Sequence, residues 1–228
     1  MSLTRSGSGN RLLPQDFEKA SWVFWDFDGV IKETVNLKGQ AFVDLFMPGP
    51  RTLALRIQKH HRASGGISRF EKIPLYASWA GIRLSPWKIK TLCRQFSARI
   101  FHGVLHAPWV RGAETVLRTN PFGQKFALIT ATPTREMKAL LRRLRIHKSF
   151  DQVIGAPTPK DQAIRFLLRK WHIPRKRCLM VGDSLEDFLA ARSSGVRFLQ
   201  RVAPGSKPFL QKRDTITDFQ FLLPDSKR

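Results

Sequence analysis

The stretch Trp22-Val23-Phe24-Trp25-Asp26-Phe27-Asp28-Gly29-Val30-Ile31 limits the fold of this chain more than any other. An apolar run, aromatic and β-branched, stops at two aspartates that flank a single residue, and a glycine follows at once. A run this short, bounded by a turn signal, reads as a buried strand, Trp22 to Asp26. In open α/β sheets the carboxyl ends of the strands carry the site, so both carboxylates fall there. Side chains two apart on a strand share a face, which points Asp26 and Asp28 the same way. Like charges held that close are costly unless a cation or a proton offsets them, so the pattern calls for a metal.

The rest of the chain supports an α/β reading. Strands are expected at Phe126–Thr130, Phe150–Gly155, Cys178–Asp183 and Arg197–Leu199, with an edge strand near Thr215–Thr217. Helical patterns separate them: Thr134 to Ile146 with Met137, Leu140, Leu141 and Leu144 on one face, a segment opened by Lys160, and another opened by Ser184. Strands that alternate with helices predict a doubly wound parallel sheet. Between the first two strands, roughly Thr34 to Arg99 is helical throughout. Leu37, Ala41, Phe42, Leu45 and Phe46 recur at helical spacing before Pro48-Gly49-Pro50. Further helices are expected at Thr52–His61 and Ser68–Ala80, and a fourth is opened by Ser85-Pro86, an N-cap followed by proline in the first turn. The expected organisation is therefore a disordered N-terminus over 1–13, a core over 14–33 and 104–228 that begins with a lead-in helix at Pro14–Ala20, and a helical insertion over 34–103.

Composition narrows the setting. With 228 residues and 42% hydrophobic content the chain can bury a real core, yet no apolar run approaches the roughly 20 residues of a membrane span. Met1 to Arg11 lacks the apolar centre of a signal peptide, so export is not expected. Cys93 and Cys178 each lie in an apolar context, which reads as buried free thiols in a reducing, cytoplasmic compartment. The chain carries 40 Lys+Arg against 17 Asp+Glu, a formal charge of +23. That favours anionic partners, but the cations are spread along the whole chain, as on a solvated basic surface.

Four strand or helix ends bring polar groups to one sheet edge: Asp26 and Asp28, Thr130, Lys160, and Asp183. Carboxylates bind a hard cation such as Mg²⁺, which shares substrate phosphate oxygens. A hydroxyl and an ammonium suit the remaining phosphate oxygens, so the set fits phosphoryl transfer. At this point a resemblance applies. Asp26-Phe27-Asp28-Gly29-Val30, Thr130, Lys160 and Gly182-Asp183-Ser184-x-x-Asp187 resemble, in order and spacing, the four motifs of the haloacid dehalogenase-like phosphatase superfamily.

The resemblance implies roles. Asp26 would attack phosphorus and form an aspartyl-phosphate. Asp28 would protonate the leaving oxygen and then serve as base on the hydrolytic water. Asp26, the backbone carbonyl of Asp28, and Asp183 would hold Mg²⁺, with Asp187 supporting it directly or through water. Thr130 and Lys160 would bind the phosphoryl group. Asp28 also disfavours dehalogenase and phosphonate-cleaving branches, which lack an aspartate there. Glu33 replaces an aspartate common in relatives, with no catalytic role at stake. The long gap from Asp28 to Thr130 resembles a helical C1 cap that closes over the site and selects substrate. Within it, the Gly65-Gly66 turn can offer backbone N–H groups, and Arg69 can fork onto a carboxylate or phosphate, which makes them candidate specificity residues. His60 and His61 are adjacent and diverge on a helix, against a shared ligand role.

The function expected is a Mg²⁺-dependent phosphomonoesterase acting on a small phosphorylated metabolite such as a sugar phosphate. A sugar phosphomutase uses the same motifs. A nucleic-acid-binding protein or end phosphatase, prompted by the charge, is the less favoured alternative. The oligomeric state is not legible.

Overall fold

The computed structural model describes residues 17–211 and 214–223. The expected disorder over 1–13 and the first residues of the lead-in helix lie outside that range. Its described end, Phe17 and Glu18, is helical.

Six strands form one parallel sheet: β1 (Trp22–Trp25), β2 (Lys125–Pro133), β3 (Gln152–Ala156), β4 (Cys178–Gly182), β5 (Arg197–Arg201) and β6 (Thr215–Ile216). Their order is β3-β2-β1-β4-β5-β6, so β1 is central and the winding reverses beside it. That crevice is where a doubly wound sheet offers its site. The continuous apolar runs follow from burial on both faces. On one face Val23, Trp25, Phe126, Leu128, Leu179 and Val181 join one core cluster. On the other, Phe24, Ala127, Ile129, Cys178 and Met180 join a second. Residues alternate between clusters along each strand, as the two-residue period demands. Each fully buried large side chain contributes roughly 1.5–3 kcal/mol, and Phe24 and Trp25 are both fully enclosed. Cys93 and Cys178 are free and buried.

Four helices form the insertion that follows β1: α1 (Val35–Asp44), α2 (Arg51–Ala63), α3 (Arg69–Trp79) and α4 (Pro86–His106). Ser68 and Ser85 cap α3 and α4 by accepting from the backbone N–H of Phe70 and Lys88. The last helix runs on to His106, past residue 103, carried by Ile100 and Val104 in its buried face. The two chain segments that join insertion to sheet lie side by side, bridged at Lys32 and Trp109. The Glu33 N–H donates to the Pro108 carbonyl at 2.9 Å and the Val110 N–H to that of Ile31 at 3.0 Å. The remaining helices α5 (Ala113–Thr119), α6 (Thr134–Arg143), α7 (Lys160–Lys170) and α8 (Leu185–Ser193) return between strands.

Strand ends differ from the sequence reading at several points: β3 begins at Gln152 and ends at Ala156, β4 stops at Gly182 and β5 runs on to Arg201. β1 stops at Trp25, and only the Asp26 N–H, donating to the Val181 carbonyl at 2.9 Å, prolongs its pairing. β2 continues past Thr130 to Pro133, with a register shift against β3 between those residues. Such an irregularity re-aims side chains, and it carries Thr132 to the sheet edge.

Candidate active site

Behind Asp26 the chain turns sharply, with the Gly29 N–H donating to the Lys32 carbonyl at 2.8 Å. Gly29 has φ +72°, and a Cβ there would stand 2.2 Å from Asp183 Oδ2. Glycine is therefore required twice over, by backbone angle and by the close approach of the β4 loop.

This turn separates the two carboxylates that strand periodicity set side by side. Asp26 faces Lys160, with Oδ1 2.9 Å from its Nζ. Asp28 faces the insertion instead. Its carboxylate accepts from Lys38 Nζ at 2.5 Å and from the Thr34 hydroxyl at 2.5 Å, with the Thr132 hydroxyl at 3.5 Å. The expectation that both side chains point one way thus gives way to two separate settings, each with a lysine of the chain's own. Lys38 also donates to the Thr132 hydroxyl at 2.8 Å, tying α1 to β2.

Asp183 follows β4, and Ser184 opens α8 with a capping box. The Asp187 N–H donates to the Ser184 hydroxyl, and Asp187 Oδ2 accepts from the Ser184 N–H at 3.2 Å and hydroxyl at 2.6 Å. The other Asp187 oxygen accepts from Lys160 at 2.6 Å. Lys160, in the first turn of α7, is thus clamped between Asp26 and Asp187. Gly182 makes the packing possible, since a Cβ there would lie 2.4 Å from that of Asp187. Thr130 is buried in β2, and its hydroxyl accepts from the Thr132 N–H at 3.2 Å.

One carboxylate oxygen from each of Asp26, Asp183 and Asp187 lies within 4.8 Å of the others. Three carboxylates share one ammonium. Burial, with Asp187 and Asp28 nearby, pushes the Asp26 carboxyl up to about 7 although Lys160 opposes it. Burial and the charges of Asp26 and Asp187 raise Asp183 well above the usual carboxylate range. Lys160 is raised, because Asp187 and Asp26 outweigh its burial. Asp28 goes the other way: burial pushes it up, but Lys38 and the Thr34 hydroxyl more than offset that, leaving it below the usual range. An all-oxygen donor set with more negative charge than Lys160 offsets suits a hard divalent cation such as Mg²⁺. The Asp28 carboxylate is outside this group, so any share it has in holding a cation falls to its backbone carbonyl.

The insertion sits down on these loops. The Gly66 N–H lies 3.4 Å from Glu186 Oε2, and a Cβ at Gly66 would meet Glu186 Cβ at 2.6 Å and Ser184 Oγ at 2.8 Å. Arg69 does fork onto a carboxylate, but one of the chain's own. Its Nη1 and Nη2 meet Glu136 of α6 at 2.9 and 3.0 Å, Ser97 is a further partner, and Phe96 lies under the guanidinium at 4.7 Å. His60 and His61 diverge: His60 Nδ1 meets the Tyr76 hydroxyl at 2.9 Å, whereas His61 turns inward to the Val35 carbonyl at 3.1 Å and Lys72 Nζ at 2.9 Å. Glu33 pairs with Arg201.

Sequence reasoning missed Thr34, Lys38, Lys72, Thr132 and Glu136. Lys38 precedes Phe42 by four residues and so stands on the apolar stripe of α1, a legible anomaly. Thr132 shares the strand parity of Thr130. Lys72 and Glu136 gave no signal in sequence.

A sequence model of the haloacid dehalogenase-like hydrolases matches residues 23–200. The chain belongs to that family. A phosphorylated carbohydrates phosphatase of Thermotoga maritima is 28% identical over 184 residues, covering 76% of this chain and 81% of that protein. A phosphoglycolate phosphatase of Pseudomonas fluorescens is 35% identical over 89 residues, 37% of this chain and 33% of that protein. The match thus spans about a third of such an enzyme's own length. Among solved structures, CbbY from Rhodobacter sphaeroides in complex with phosphate superposes with TM-score 0.70 at 18% identity, covering 89% and 95% of the two chains. The α/β fold is that of this family. No described helix is long and apolar enough to cross a membrane.

Proposed function

We propose that this chain is a Mg²⁺-dependent phosphomonoesterase acting on a small phosphorylated metabolite through an aspartyl-phosphate on Asp26. The single observation that carries the reading is the pairing of two aspartates in opposite settings. Asp26 stands among carboxylates over Lys160, while Asp28 stands apart, held by Lys38, Thr34 and Thr132. The difference supports a reading in which one carboxylate attacks and the other moves protons.

Asp26, Asp183, Asp187 and the Asp28 carbonyl would hold the cation, which supplies charge neutralisation for the phosphoryl oxygens. The Asp26 carboxylate attacks phosphorus, and the bond to the leaving oxygen breaks. Lys160 holds Asp26 in place, and with Thr130 it receives phosphoryl oxygens. Asp28, protonated from solvent as the substrate binds, gives that proton to the leaving oxygen. A dianionic phosphoryl group that draws Lys38 toward itself relaxes the hold that keeps Asp28 ionised. Asp28 then takes a proton from the water that cleaves the acyl phosphate. The four-helix insertion acts as the cap: seated on Ser184 and Glu186 through Gly66, it excludes bulk water. The names of the phosphatase relatives support a small phosphate ester, phosphoglycolate or a phosphorylated carbohydrate, as substrate. The buried free thiols suit a reducing cytoplasm.

The test is phosphate release from sugar phosphates, phosphoglycolate, nucleotides and end-phosphorylated oligonucleotides, with Mg²⁺ and with EDTA. Turnover of a small ester that needs the metal and is lost in Asp26→Asn is expected. Turnover undiminished in Asp26→Asn, or no release from any ester, overturns the reading, and isomerised sugar phosphate without free phosphate replaces hydrolase by mutase.

A further inference from the structure

Under the cap lies a small pocket of about 30 Å³, bounded by Asp28, Lys38, Thr132 and Asp183 from one side and His61, Arg69 and Lys72 from the other. Lys38, Arg69 and Lys72 all face this space, but their circumstances differ. Lys38 is paired with Asp28. Arg69 is neutralised by Glu136 and satisfied by Ser97. Lys72 is neither.

The Lys72 side chain is 1% exposed. Its one hydrogen-bond partner among the described residues is His61 Nδ1, at 2.9 Å. His61 Nε2 faces the Val35 carbonyl, an acceptor only, so Nε2 carries the ring proton and Nδ1 offers its lone pair to Lys72. The histidine therefore orients the Lys72 amine without neutralising it, while burial, opposed by Glu186 and reinforced by Lys38, pulls that amine down to about 7. No carboxylate stands within ion-pair distance of Lys72 among the described residues. An ammonium has three protons to give, and a buried cation is ordinarily paired.

We infer that Lys72, oriented by His61, is the specificity-determining residue of the cap, and that it selects phosphate monoesters whose leaving group carries a second, small anionic group close to the ester oxygen. The inference rests on the phosphatase reading and names its substrate class. Asp28, the proton donor to the leaving oxygen, borders the same pocket, so the leaving group projects toward Lys72. An anion there completes the partners of Lys72 and favours its protonated form. The pocket holds no more than a water or two as closed, which suits a carboxylate better than a sugar ring. Arg69 is excluded from this task because its fork is already filled on both sides by one carboxylate.

The test compares Lys72→Met with wild type on three two-carbon esters: phosphoglycolate, ethylene glycol bisphosphate, and 2-hydroxyethyl phosphate, whose leaving group is uncharged. Wild type is expected to prefer an anionic leaving group, and Lys72→Met is expected to lower the ratio of kcat/KM for phosphoglycolate over 2-hydroxyethyl phosphate at least tenfold. Lys72→Arg, which keeps the charge, should restore part of that ratio. A ratio that falls only in the bisphosphate arm makes the selected group a phosphate and keeps the role of Lys72. Equal loss on all three esters, or an unchanged ratio, overturns the inference, whereas no wild-type turnover of any ester strikes the phosphatase reading itself. Circular dichroism of each variant separates unfolding from lost selection.

Discussion

Gly66→Ala tests whether the cap must seat on the core for the enzyme to work. The backbone at Gly66 is outside the left-handed region, so alanine is conformationally allowed and its effect is purely steric. The new methyl would stand 2.6 Å from Glu186 Cβ and 2.8 Å from Ser184 Oγ. Ordinary carbon contacts lie near 3.5–4.0 Å, so the loop must retreat by about 1 Å. Nothing in the sheet or its two core clusters depends on that contact, so thermal unfolding should shift little. Catalysis should suffer, because a misplacement of about 1 Å can cost on the order of 100-fold, or about 2.7 kcal/mol of transition-state stabilisation. Steady-state phosphate release at saturating Mg²⁺ measures it, and Gly66→Ala combined with Glu186→Gly removes the nearer obstruction and should recover part of the loss. Activity of Gly66→Ala within threefold of wild type, with its fold intact, would refute the closed cap as the working state.

Two further outcomes follow from the same geometry. Glu136→Ala strands the Arg69 guanidinium, whose side chain is 3% exposed; removing one partner of a buried pair costs about 3–5 kcal/mol. Urea denaturation should show that loss, Arg69→Met with Glu136→Leu should recover most of it, and a single-variant loss below about 1 kcal/mol would sink the pairing. The Asp26 carboxyl, pushed up to about 7 in the metal-free protein, binds a proton that the unfolded chain has already released at neutral pH. Its contribution to metal-free stability is present at acid pH and is lost as pH rises through 7. Mg²⁺ must displace that proton, so the gain in melting temperature on adding Mg²⁺ should be larger at pH 8 than at pH 5.5, with proton release on binding near pH 7 seen by calorimetry in different buffers. A gain independent of pH would contradict the shared carboxylate site.

The strands were readable because burial on both faces leaves unbroken apolar runs, and the helices because their apolar faces repeat. Asp26, Asp28, Thr130, Lys160, Asp183 and Asp187 were readable because each stands just where an apolar segment ends or a helix begins. The direction of Asp28 was not. Strand alternation predicts a common face, but the Gly29 turn intervenes, and only the folded chain reveals Lys38 and Thr34 waiting on the other side. Arg69 looked available because its partner, Glu136, is 67 residues away. Lys72 resembled any helix-surface cation, since burial at one point of an insertion depends on what closes over it.

The bridge between Lys32 and Trp109 has an evolutionary reading. The chain leaves the sheet and returns to it at adjacent points, so the 74 residues numbered 34–107 form a closed detour. Closure entropy grows only with the logarithm of length, so exchanging such a detour for a four-residue turn changes it by on the order of 2–3 kcal/mol. Asp26, Asp28, Lys160 and the carboxylate cluster lie outside the detour, while Thr34 and Lys38, which hold Asp28, lie within it together with His61 and Lys72. The carboxylate cluster and the wall that faces it are thus encoded in separate stretches, and a graft of one insertion for another must keep Lys38 and Thr34 if Asp28 is to keep its setting.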